Sequence, residues 1–449
     1  SKRSSHFASI MQCTYALSRA CCAKFLLAPL LQYLDVIDAR KASRLLRRHH
    51  NHAKSNSSSL YVHWPYCEKR CTYCNFNKYV SQNVDHTGMM ECLIREFTTI
   101  VELAGISQVT SVFFGGGTPS LMRPADIERL LGVVSSLSPD PGLEVTLECN
   151  PTPAARQTLR DFKRAGVSRV SVGIQCLQDE ELSRLGRTHT SKDALRCVEE
   201  AECLFPGRVS VDVLYGRPGQ DLQQWLRELE LVLTLDTAHV SLYELTLERG
   251  TRLFKDVQAG SQSMPCRETI SQMYLAAVEA LKSRGLLRYE ASNFAREDHE
   301  CRHNIGYWKG DQYLGIGPGS HSRLDVNGQR EARIQTLEPG PWLHEVKSKG
   351  HGTRLVRALT TLQRLEEMLV MGLRTSRGIT NEDWFVVSQG TSLKDTFEGS
   401  SQTQRLLDAG LILLDTSALR PTEEGLNVAD SLSCALLPLL AEMESATAV

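Results

Sequence analysis

Between residues 59 and 246, short runs with alternating apolar and polar positions take turns with longer amphipathic stretches. The short runs are rich in β-branched and aromatic residues, which favour strands, and the long stretches repeat apolar residues at helical spacing. The pattern predicts strands at 59–63, 111–115, 144–150, 169–175, 208–215 and 239–246, with helices between them such as 125–136, 153–165, 192–204 and 222–233. Strands alternating with helices favour a parallel sheet, here an α/β fold with a partial (β/α)6 TIM-like barrel.

The pattern changes after the sixth unit. A seventh strand is predicted at 289–294, whereas residues 301–350 are rich in Gly, His and Tyr and show little periodicity. Further on, helices are predicted at 362–373, 401–409 and 423–437, with short strands at 411–414 and 418–420. Helices around a small hairpin predict a mainly α, winged-helix-like C-terminal domain.

Charge separates a leader from the rest of the 449 residues. Residues 1–58 hold ten Lys or Arg and two acids, whereas the remainder holds 41 basic and 50 acidic residues. A basic, Ser-rich, acid-poor leader is typical of a mitochondrial transit peptide, and a disordered cytosolic tail is the alternative. The apolar run 25–37 is too short to cross a bilayer, so no integral membrane segment is expected.

These patterns predict four segments. Residues 1–57 form the leader, 58–295 the partial barrel, 296–350 a connecting region and 351–449 the C-terminal domain. Residues 352–449 carry eight basic and thirteen acidic residues, which is the wrong sign for binding phosphates. The C-terminal domain is therefore predicted to be a structural or lid module, and no nucleic-acid partner is expected.

Three cysteines form a tight group in C-x3-C-x2-C spacing, namely Cys67, Cys71 and Cys74. Thiolates are natural ligands of an iron–sulfur cluster, and three of them leave one iron of a [4Fe–4S] cubane open for chemistry. A structural zinc site normally needs four ligands and a second paired motif, and no second pair follows. Several scattered cysteines (Cys92, Cys197, Cys203, Cys266 and Cys434) are predicted to be small buried side chains.

This cysteine spacing after a first strand, with the aromatic Tyr73 just before the third cysteine, resembles the radical S-adenosylmethionine (SAM) superfamily. The resemblance implies that SAM chelates the open iron and is cleaved to a 5′-deoxyadenosyl radical. Tyr61 matches a family aromatic beside the cluster and SAM.

Polar or glycine residues follow the predicted strand ends, where parallel barrels place their sites. The second strand ends in a glycine turn, and the resemblance implies that this turn meets the SAM amino group. It also implies that four charged or amide side chains hold SAM. The expected cofactor-binding residues are thus Gly116, Gly117, Thr118, Glu148, Gln175, Arg187 and Asp212.

Within the superfamily, residues 59–437 resemble the HemW-type haem chaperones and the oxygen-independent coproporphyrinogen III dehydrogenases, with the animal mitochondrial branch nearest. The dehydrogenases have a further cysteine where this chain has Phe76. The chaperones carry a His-Asn-x-x-Tyr-Trp motif, which stands here with His303, Tyr307 and Trp308. A neutral imidazole is an axial haem ligand and aromatic rings stack on porphyrins. Cys301 is the alternative ligand.

The leading hypothesis is therefore a mitochondrial haem-binding chaperone that delivers haem to a respiratory apoprotein and binds a [4Fe–4S] cluster and SAM. An electron donor for the cluster is an expected partner, and a homodimer and peripheral membrane association are compatible with the resemblance. The alternative is an enzyme that oxidatively decarboxylates coproporphyrinogen III by radical SAM chemistry. RNA modification is disfavoured by the acidic C-terminal domain.

Overall fold

The structure, a computed structural model, describes residues 56–81 and 83–447, so the predicted leader lies almost wholly outside the described residues. The strands are, in chain order, β1 (Ser57–Trp64), β2 (Tyr66–Cys67), β3 (Tyr79–Val80), β4 (Gln108–Gly116), β5 (Glu144–Cys149), β6 (Arg169–Gln175), β7 (Val209–Tyr215), β8 (His239–Glu244), β9 (Leu287–Glu290), β10 (Asn293–Ala295), β11 (Tyr313–Ile316), β12 (His321–Val326), β13 (Gln329–Gln335), β14 (Thr353–Ala358), β15 (Ile379–Thr380), β16 (Ile412–Leu414) and β17 (Ala418–Pro421).

The helices connect these strands mainly as crossovers. They are α1 (His86–Ala104), α2 (Pro124–Leu137), α3 (Pro153–Arg164), α4 (Asp179–Arg184), α5 (Ser191–Leu204), α6 (Leu222–Leu233), α7 (Arg252–Gln258), α8 (Arg267–Ser283), α9 (Arg302–Trp308), α10 (Pro339–Lys349), α11 (Thr361–Gly372), α12 (Asn381–Val387), α13 (Leu393–Phe397), α14 (Ser401–Asp408), α15 (Glu423–Leu426) and α16 (Ala429–Thr447), with a 3-10 turn at Pro119–Leu121.

The large sheet has a parallel centre. In the described part of the chain its order is β14-β13-β12-β11-β1-β4-β5-β6-β7-β8-β10-β9. Strands β1 and β4 to β8 are consecutive and parallel, each followed by at least one helix. Strands β14 and β9 are the two edges, so the barrel is open. The α/β fold and the partial barrel of six βα units are confirmed.

Alternation along the parallel strands gives the sheet two different faces. Leu60, Val62, Val112 and Phe114 are buried in the main core between the sheet and its helices. The residues between them on β1 and β4 point to the inner, concave face, as Tyr61 does. On β5 to β8 this inner face is largely polar, with positions such as Glu148, Ser171, Asp212 and Ser241.

The prediction of a seventh strand at 289–294 is wrong. The segment forms two short antiparallel strands, β9 and β10, and β10 pairs antiparallel with β8. Only two residues, Ala291 and Ser292, separate β9 from β10, and so short a connection can join only antiparallel strands.

Residues 301–350 are also more regular than predicted. They contain α9, three strands and α10, and β11 pairs with β1 on the side away from β4. Closely spaced glycine turns conceal this regularity, because Gly317 and Gly319 between β11 and β12 have positive φ values. The His303 motif consequently lies on a helix.

The C-terminal domain has its own core around Leu369, Trp384, Phe397 and Leu436. A three-stranded sheet, β15-β17-β16, packs with helices α11 to α16 in a winged-helix-like order. The predicted helix 423–437 is broken into α15 and α16 near Asn427. The four-segment division of the chain stays a prediction.

Three of the five scattered cysteines differ from expectation. Cys92 and Cys197 are buried as predicted, whereas Cys434 is partly exposed and Cys203 and Cys266 are exposed. Cys266 precedes the first turn of α8 and Cys203 lies in the last turn of α5, where helix ends meet solvent.

Candidate functional site

The three-cysteine segment is a loop fixed to the carboxyl end of the barrel. It leaves β1 and is held between α4 and α7 by backbone hydrogen bonds, in which Thr72 donates to Leu185 at 3.0 Å and accepts from Leu253 at 2.9 Å. Tyr79 closes its base by donating to Pro65 at 2.7 Å. These backbone hydrogen bonds fix the position of the cysteine loop relative to the barrel.

The three thiols differ in exposure and surroundings. Cys67 is buried and accepts a hydrogen bond from the Thr118 hydroxyl at 3.3 Å, whereas Cys71 and Cys74 are partly exposed. Burial, opposed by the Thr118 hydrogen bond and aided by the nearby Cys74 and Cys71, raises the pKa of Cys67. The other two sulfurs are therefore close enough to influence the ionisation of Cys67.

The donor set fits a cubane better than a single ion. In the described residues, no group of three His, Cys, Asp or Glu side chains is placed to hold one metal ion. A cubane does not require such convergence, because each thiolate binds a different iron. Three thiolates on one anchored loop are suitable ligands for it.

The glycine turn after β4 packs against the base of the cysteine loop. A Cβ on Gly117 would lie 2.7 Å from the Tyr66 carbonyl oxygen and 2.9 Å from that of Trp64. A Cβ on Gly116 would lie 2.6 Å from the His63 ring. These glycines are needed for close packing of two backbone segments around the site.

Arg187 links the cysteine loop to the ends of two strands. Its guanidinium donates to Asn150 Oδ1 at 2.8 Å and to the Gly173 carbonyl oxygen at 2.9 Å, and it approaches Cys71 Sγ at 3.7 Å. Tyr73 donates to Gln175 Oε1 at 3.2 Å. Gln175 adopts φ 64°, a left-handed conformation that turns the strand end toward Tyr73.

Two carboxyl groups lie deeper on the inner face. Glu148 accepts from the Gly116 backbone N–H at 3.2 Å, and burial, with the nearby Asp212 charge, raises the pKa of Glu148 to about 8. Asp212 accepts from the Ser171 hydroxyl at 2.9 Å and is also hydrogen-bonded to Ser241. Burial raises the pKa of Asp212 to about 6 against these hydrogen bonds.

Tyr61 lies on the same face. Its hydroxyl is 3.2 Å from His63 Nδ1, and its ring stacks on Phe113 with centroids 6.2 Å apart. Tyr61 and Glu148 both approach Gly115, whose added Cβ would touch them. The structure thus gathers the predicted SAM-site residues at one end of the barrel.

Sequence reasoning missed several side chains of this site. Asn150 orients Arg187, Ser171 holds Asp212, and His63 fills the space beside Gly116. Asn150 and His63 lie at strand ends, and this position could have identified them from the sequence. Ser171 lies in mid-strand, and its only sequence signal is the alternation that places it on the inner face.

His303 is buried on α9 and lies against the inner face of β4. Its Nδ1 is 2.9 Å from the Ser111 hydroxyl, and Phe113 and Tyr307 pack on the ring at 5.1 and 4.8 Å between centroids. Burial lowers the pKa of His303 to about 3, so the imidazole is neutral. Its Nε2 is buried without a hydrogen-bond partner among the described residues.

Trp308 lines a different space from His303. With Tyr289, Ile305 and Met368 it borders a cavity of about 180 Å³ between α9 and the C-terminal domain. This is below the roughly 300 Å³ from which small-molecule sites usually begin. His303 and Trp308 therefore lie on one short helix, but His303 contacts β4 whereas Trp308 lines the cavity next to the C-terminal domain.

Cys301 is a poor source of thiolate here. Its thiol donates to Glu144 Oε1 at 3.6 Å, and burial together with the Glu144 charge raises the pKa of Cys301 to about 11. A protonated thiol is a weak metal ligand. Of the two predicted alternatives, His303 has the more suitable donor atom.

A second buried histidine gives a useful contrast. His239 on β8 is also on the inner face, and burial lowers its pKa well below the usual value. Both of its ring nitrogens have partners, Ser210 Oγ at 2.7 Å and the Tyr289 hydroxyl at 2.9 Å. Both nitrogens of His239 are therefore used in hydrogen bonds within the fold, whereas Nε2 of His303 has no such partner among the described residues.

Comparisons with known proteins identify the domains of the chain and its fold. Residues 61–232 match the model of the radical SAM superfamily, and residues 359–428 match that of the HemN C-terminal domain. The structure resembles coproporphyrinogen III oxidase (HemN) from Escherichia coli with a TM-score of 0.70 and 20% identity, covering 85% of this chain and 90% of that one. That likeness shows the fold. No helix in the described residues has the length and apolar character needed to span a membrane.

Two curated relatives cover most of the chain. The mitochondrial radical S-adenosyl methionine domain-containing protein 1 of Danio rerio is 49% identical over 392 residues, which are 86% of this chain and 88% of the relative. The haem chaperone HemW of Bacillus subtilis is 32% identical over 372 residues, which are 82% and 96% of the two chains. The chain is a mitochondrial protein and belongs to the radical SAM family that includes the mitochondrial radical SAM domain-containing protein 1 and the haem chaperone HemW.

Proposed function

We propose that this protein binds haem and acts as a haem chaperone that delivers haem to a respiratory apoprotein in the mitochondrion. The relatives named haem chaperone support it, as does the His-Asn-x-x-Tyr-Trp helix, on which His303 is buried. The observation that carries the proposal is the neutral His303, whose Nδ1 is bonded and whose Nε2 has no partner among the described residues.

Membership of the radical SAM family implies a [4Fe–4S] cluster and SAM. In the proposal, Cys67, Cys71 and Cys74 hold the cluster. The SAM ligands are the gathered polar and glycine residues of the barrel end, Tyr61, Tyr73, Gly116, Gly117, Thr118, Glu148, Gln175, Arg187 and Asp212. When bound, SAM would supply either radical chemistry or the missing ligand of the open iron.

The hydrogen bonding of His303 supports its proposed role as a haem ligand. Such a histidine normally uses one nitrogen in a hydrogen bond that fixes the tautomer, and leaves the other as the ligand. Ser111 occupies Nδ1, so Nε2 carries the lone pair when Nδ1 is protonated. Tyr307 and Phe113 cover the ring, so haem has to displace α9 from β4 to reach Nε2.

A haemin titration followed by the Soret band tests this proposal on cluster-reconstituted protein. We expect saturable binding near one equivalent to the wild type, and weaker or spectrally shifted binding to His303→Ala. His239→Ala is the matched control, because it removes another buried neutral imidazole that has no free nitrogen. Circular dichroism and cluster absorbance check that both variants fold.

The outcomes separate the alternatives. Absence of saturable binding to the wild type contradicts the haem proposal. Equal binding by the wild type and His303→Ala keeps haem but rejects His303, and Cys301→Ser is then the next variant. A loss in His239→Ala equal to that in His303→Ala indicates damage to the inner face and rejects specific ligation.

Delivery is tested separately from binding. Haem-loaded protein mixed with a b-type apocytochrome should transfer haem, so that the acceptor spectrum appears as the donor spectrum decays. Light scattering and vesicle flotation on the same samples test the proposed homodimer and peripheral membrane association. Failure of transfer by a haem-loaded protein would leave a haem-binding protein without the chaperone role.

One observation favours a catalytic second candidate, a coproporphyrinogen III dehydrogenase. The residues expected to hold SAM, with Glu148 and Asp212 among them, lie together at one end of the barrel, as productive SAM chemistry would need. One observation counts against this candidate: Phe76, whose side chain is 46% exposed, stands where the dehydrogenases have a further cysteine. An anaerobic assay that forms protoporphyrinogen only with SAM would replace the chaperone proposal with this one.

A further inference from the structure

A charged cavity of about 690 Å³ opens beside the cysteine loop. Cys71 and Cys74 line it, whereas Cys67 is buried away from it. It is separate from the SAM-site network, since neither Arg187 nor Glu148 belongs to its wall. The cavity is therefore an approach to the cluster ligands from solvent.

The wall of this cavity is strongly basic, although the chain as a whole has a formal net charge of −1. Five cationic side chains line it, from the cysteine loop, α4 and α7, namely Lys69, Arg70, Arg184, Arg252 and Lys255. Asp256 lies 3.5 Å from Arg252, and Glu181 lies 2.6 Å from Arg184. These two carboxylates leave an excess of positive charge.

The cavity does not have the composition of a porphyrin site. Among the described residues that line it, none is aromatic or aliphatic, whereas small-molecule sites are mostly apolar. Its cations are at an open rim, with the side chains of Arg252 and Arg184 78% and 62% exposed. Exposed charges of one sign guide the approach of an oppositely charged macromolecule.

We propose that this basic rim is the docking surface for an acidic one-electron carrier protein that reduces the cluster. The inference rests on the proposed cluster at Cys67, Cys71 and Cys74, and adds the partner of that site. One electron leaves the reduced carrier and is taken up by the cluster, with no bond made and no proton moved. The partly exposed Cys71 and Cys74 side is where the carrier comes nearest to the cluster.

Charge reversal on α7 tests the docking surface without altering the residues between the cysteines. The variant is Arg252→Glu with Lys255→Glu, and the probe is an acidic [2Fe–2S] ferredoxin in its reduced form. The matched control is Lys192→Glu with Arg196→Glu, an exposed basic pair on α5 that does not line the cavity. The readout is the rate of cluster reduction in rapid-freeze electron paramagnetic resonance.

At about 0.05 M salt we expect the α7 variant to be reduced about tenfold more slowly than the wild type, and the control at the wild-type rate. The difference should largely vanish at about 0.5 M salt, where exposed charges are screened. Photoreduced deazaflavin, a small reductant, should reduce all three proteins equally, which also shows that their clusters are intact.

Equal ferredoxin rates for the wild type and the α7 variant at low salt would overturn the proposal, as would equal slowing in the α5 control. A lower haemin affinity in the α7 variant with unchanged ferredoxin rates would assign the rim to haem propionates instead. Haem binding does not enter the reduction assay. Failure of the docking surface therefore leaves the haem proposal standing, and failure of haem binding leaves the docking surface standing.

Discussion

At the scale of single residues, the site is defined by charged groups enclosed with few compensating charges. Glu148 and Asp212 share the inner face with Arg187 as the nearby cation, and burial raises the pKa of both carboxyl groups. Burial disfavours the ionised form, so Glu148, whose pKa is about 8, keeps its proton at neutral pH, whereas Asp212, whose pKa is about 6 beside Arg187, is mostly ionised there. A cationic ligand, such as the sulfonium of SAM in the proposed function, would favour the ionised form of Glu148.

The raised pKa of Glu148 predicts how the ligand-free protein responds to pH. The folded state holds this proton up to about pH 8, whereas an ordinary Glu loses it near 4.5. Its contribution to stability is therefore full below about pH 4.5 and is lost as the pH rises through about 8. Each pH unit in that window costs up to about 1.4 kcal/mol of unfolding free energy.

Glu148→Gln keeps the shape and removes the titration. We expect thermal melting of the wild type to fall more steeply than that of Glu148→Gln between pH 6 and about pH 8.5. Asp212 remains in both proteins, and because its charge helps to raise the pKa of Glu148, the difference measures Glu148 together with that coupling. Parallel pH profiles would show that Glu148 is already ionised in the fold.

Arg187 predicts a different result, in cofactor affinity. Arg187→Lys keeps the charge but loses the planar fork, in which one nitrogen reaches Asn150 and Gly173 and the other approaches Cys71. One lost charged hydrogen bond is worth about 1.5–3 kcal/mol, so the SAM dissociation constant should rise by about tenfold or more. Calorimetric titration of reconstituted protein measures it.

Arg184→Lys is the control for that titration, because the Arg184 side chain is exposed and pairs with Glu181 on its own helix. Its SAM affinity should equal that of the wild type. Unchanged affinity in Arg187→Lys as well would remove Arg187 from the SAM site and leave it a positioning residue for the cysteine loop.

At the scale of elements, the carboxyl ends of β1 and β4 are joined by contact between backbones. The N–H of Gly117 donates to the Trp64 carbonyl oxygen at 2.7 Å and that of Thr118 to Tyr66 at 2.9 Å. This contact sets the direction in which the chain leaves β1 toward Cys67. The glycine turn therefore positions the cysteine loop, and with it the proposed cluster ligands, through backbone hydrogen bonds.

Gly117→Ala should accordingly disturb the cluster. Its Cβ would be opposed by backbone atoms at 2.7 to 2.9 Å, which cannot rotate away, so the loop has to shift. We expect less iron and sulfide per chain after reconstitution, and a lower melting temperature. Gly132→Ala on α2 is the matched control, since nothing lies within 4 Å of its added Cβ.

The control should move in the opposite direction. A helical glycine replaced by alanine at an open position gains about 0.5–1 kcal/mol in helix propensity. Wild-type cluster content in both variants would show that the Gly117 turn does not position the cysteines.

Particular elements show how far sequence reasoning reaches. Strand β6 and helix α6 were predicted to the residue, because each has one strong period and clear breaks at its ends. The cysteine loop was recognisable because its three ligands are within eight residues. Local patterns of this kind are set by the chain itself.

The surroundings of His303 could not be predicted in the same way. Its partner Ser111 is 192 residues away in the chain, and its burial depends on α9 packing onto the inner face. Alternation predicts that Ser111 and Phe113 share a face, but not which later helix covers that face. The separation of Trp308 from His303 likewise depends on the C-terminal domain.

At the scale of the whole molecule, the C-terminal domain is joined to the sheet edge through Arg374. Its side chain is buried and pairs with Asp430 on α16, and its guanidinium lies 5.4 Å from the Trp308 ring. The Arg374 carbonyl oxygen accepts from the Ala291 N–H between β9 and β10 at 2.9 Å. One residue thus connects α16, the sheet edge and α9.

This connection predicts unequal costs for two ion pairs, one within the C-terminal domain at the sheet edge and one that joins α8 to that domain. Arg374→Met leaves Asp430 beside a buried surface without its cation and should lower the unfolding free energy by about 2–3 kcal/mol. Lys282→Met removes an exposed pair with Glu423 between α8 and α15, and should have little effect. Denaturant unfolding measures both, and limited proteolysis should release the C-terminal domain only from Arg374→Met.

Equal stability of the two variants would mean that the domains are held together by apolar packing, so that Arg374 has no special part in the α9 environment. A selective loss in Arg374→Met would mean that the C-terminal domain can influence the helix bearing His303, and would make its movement a means of controlling access to that histidine.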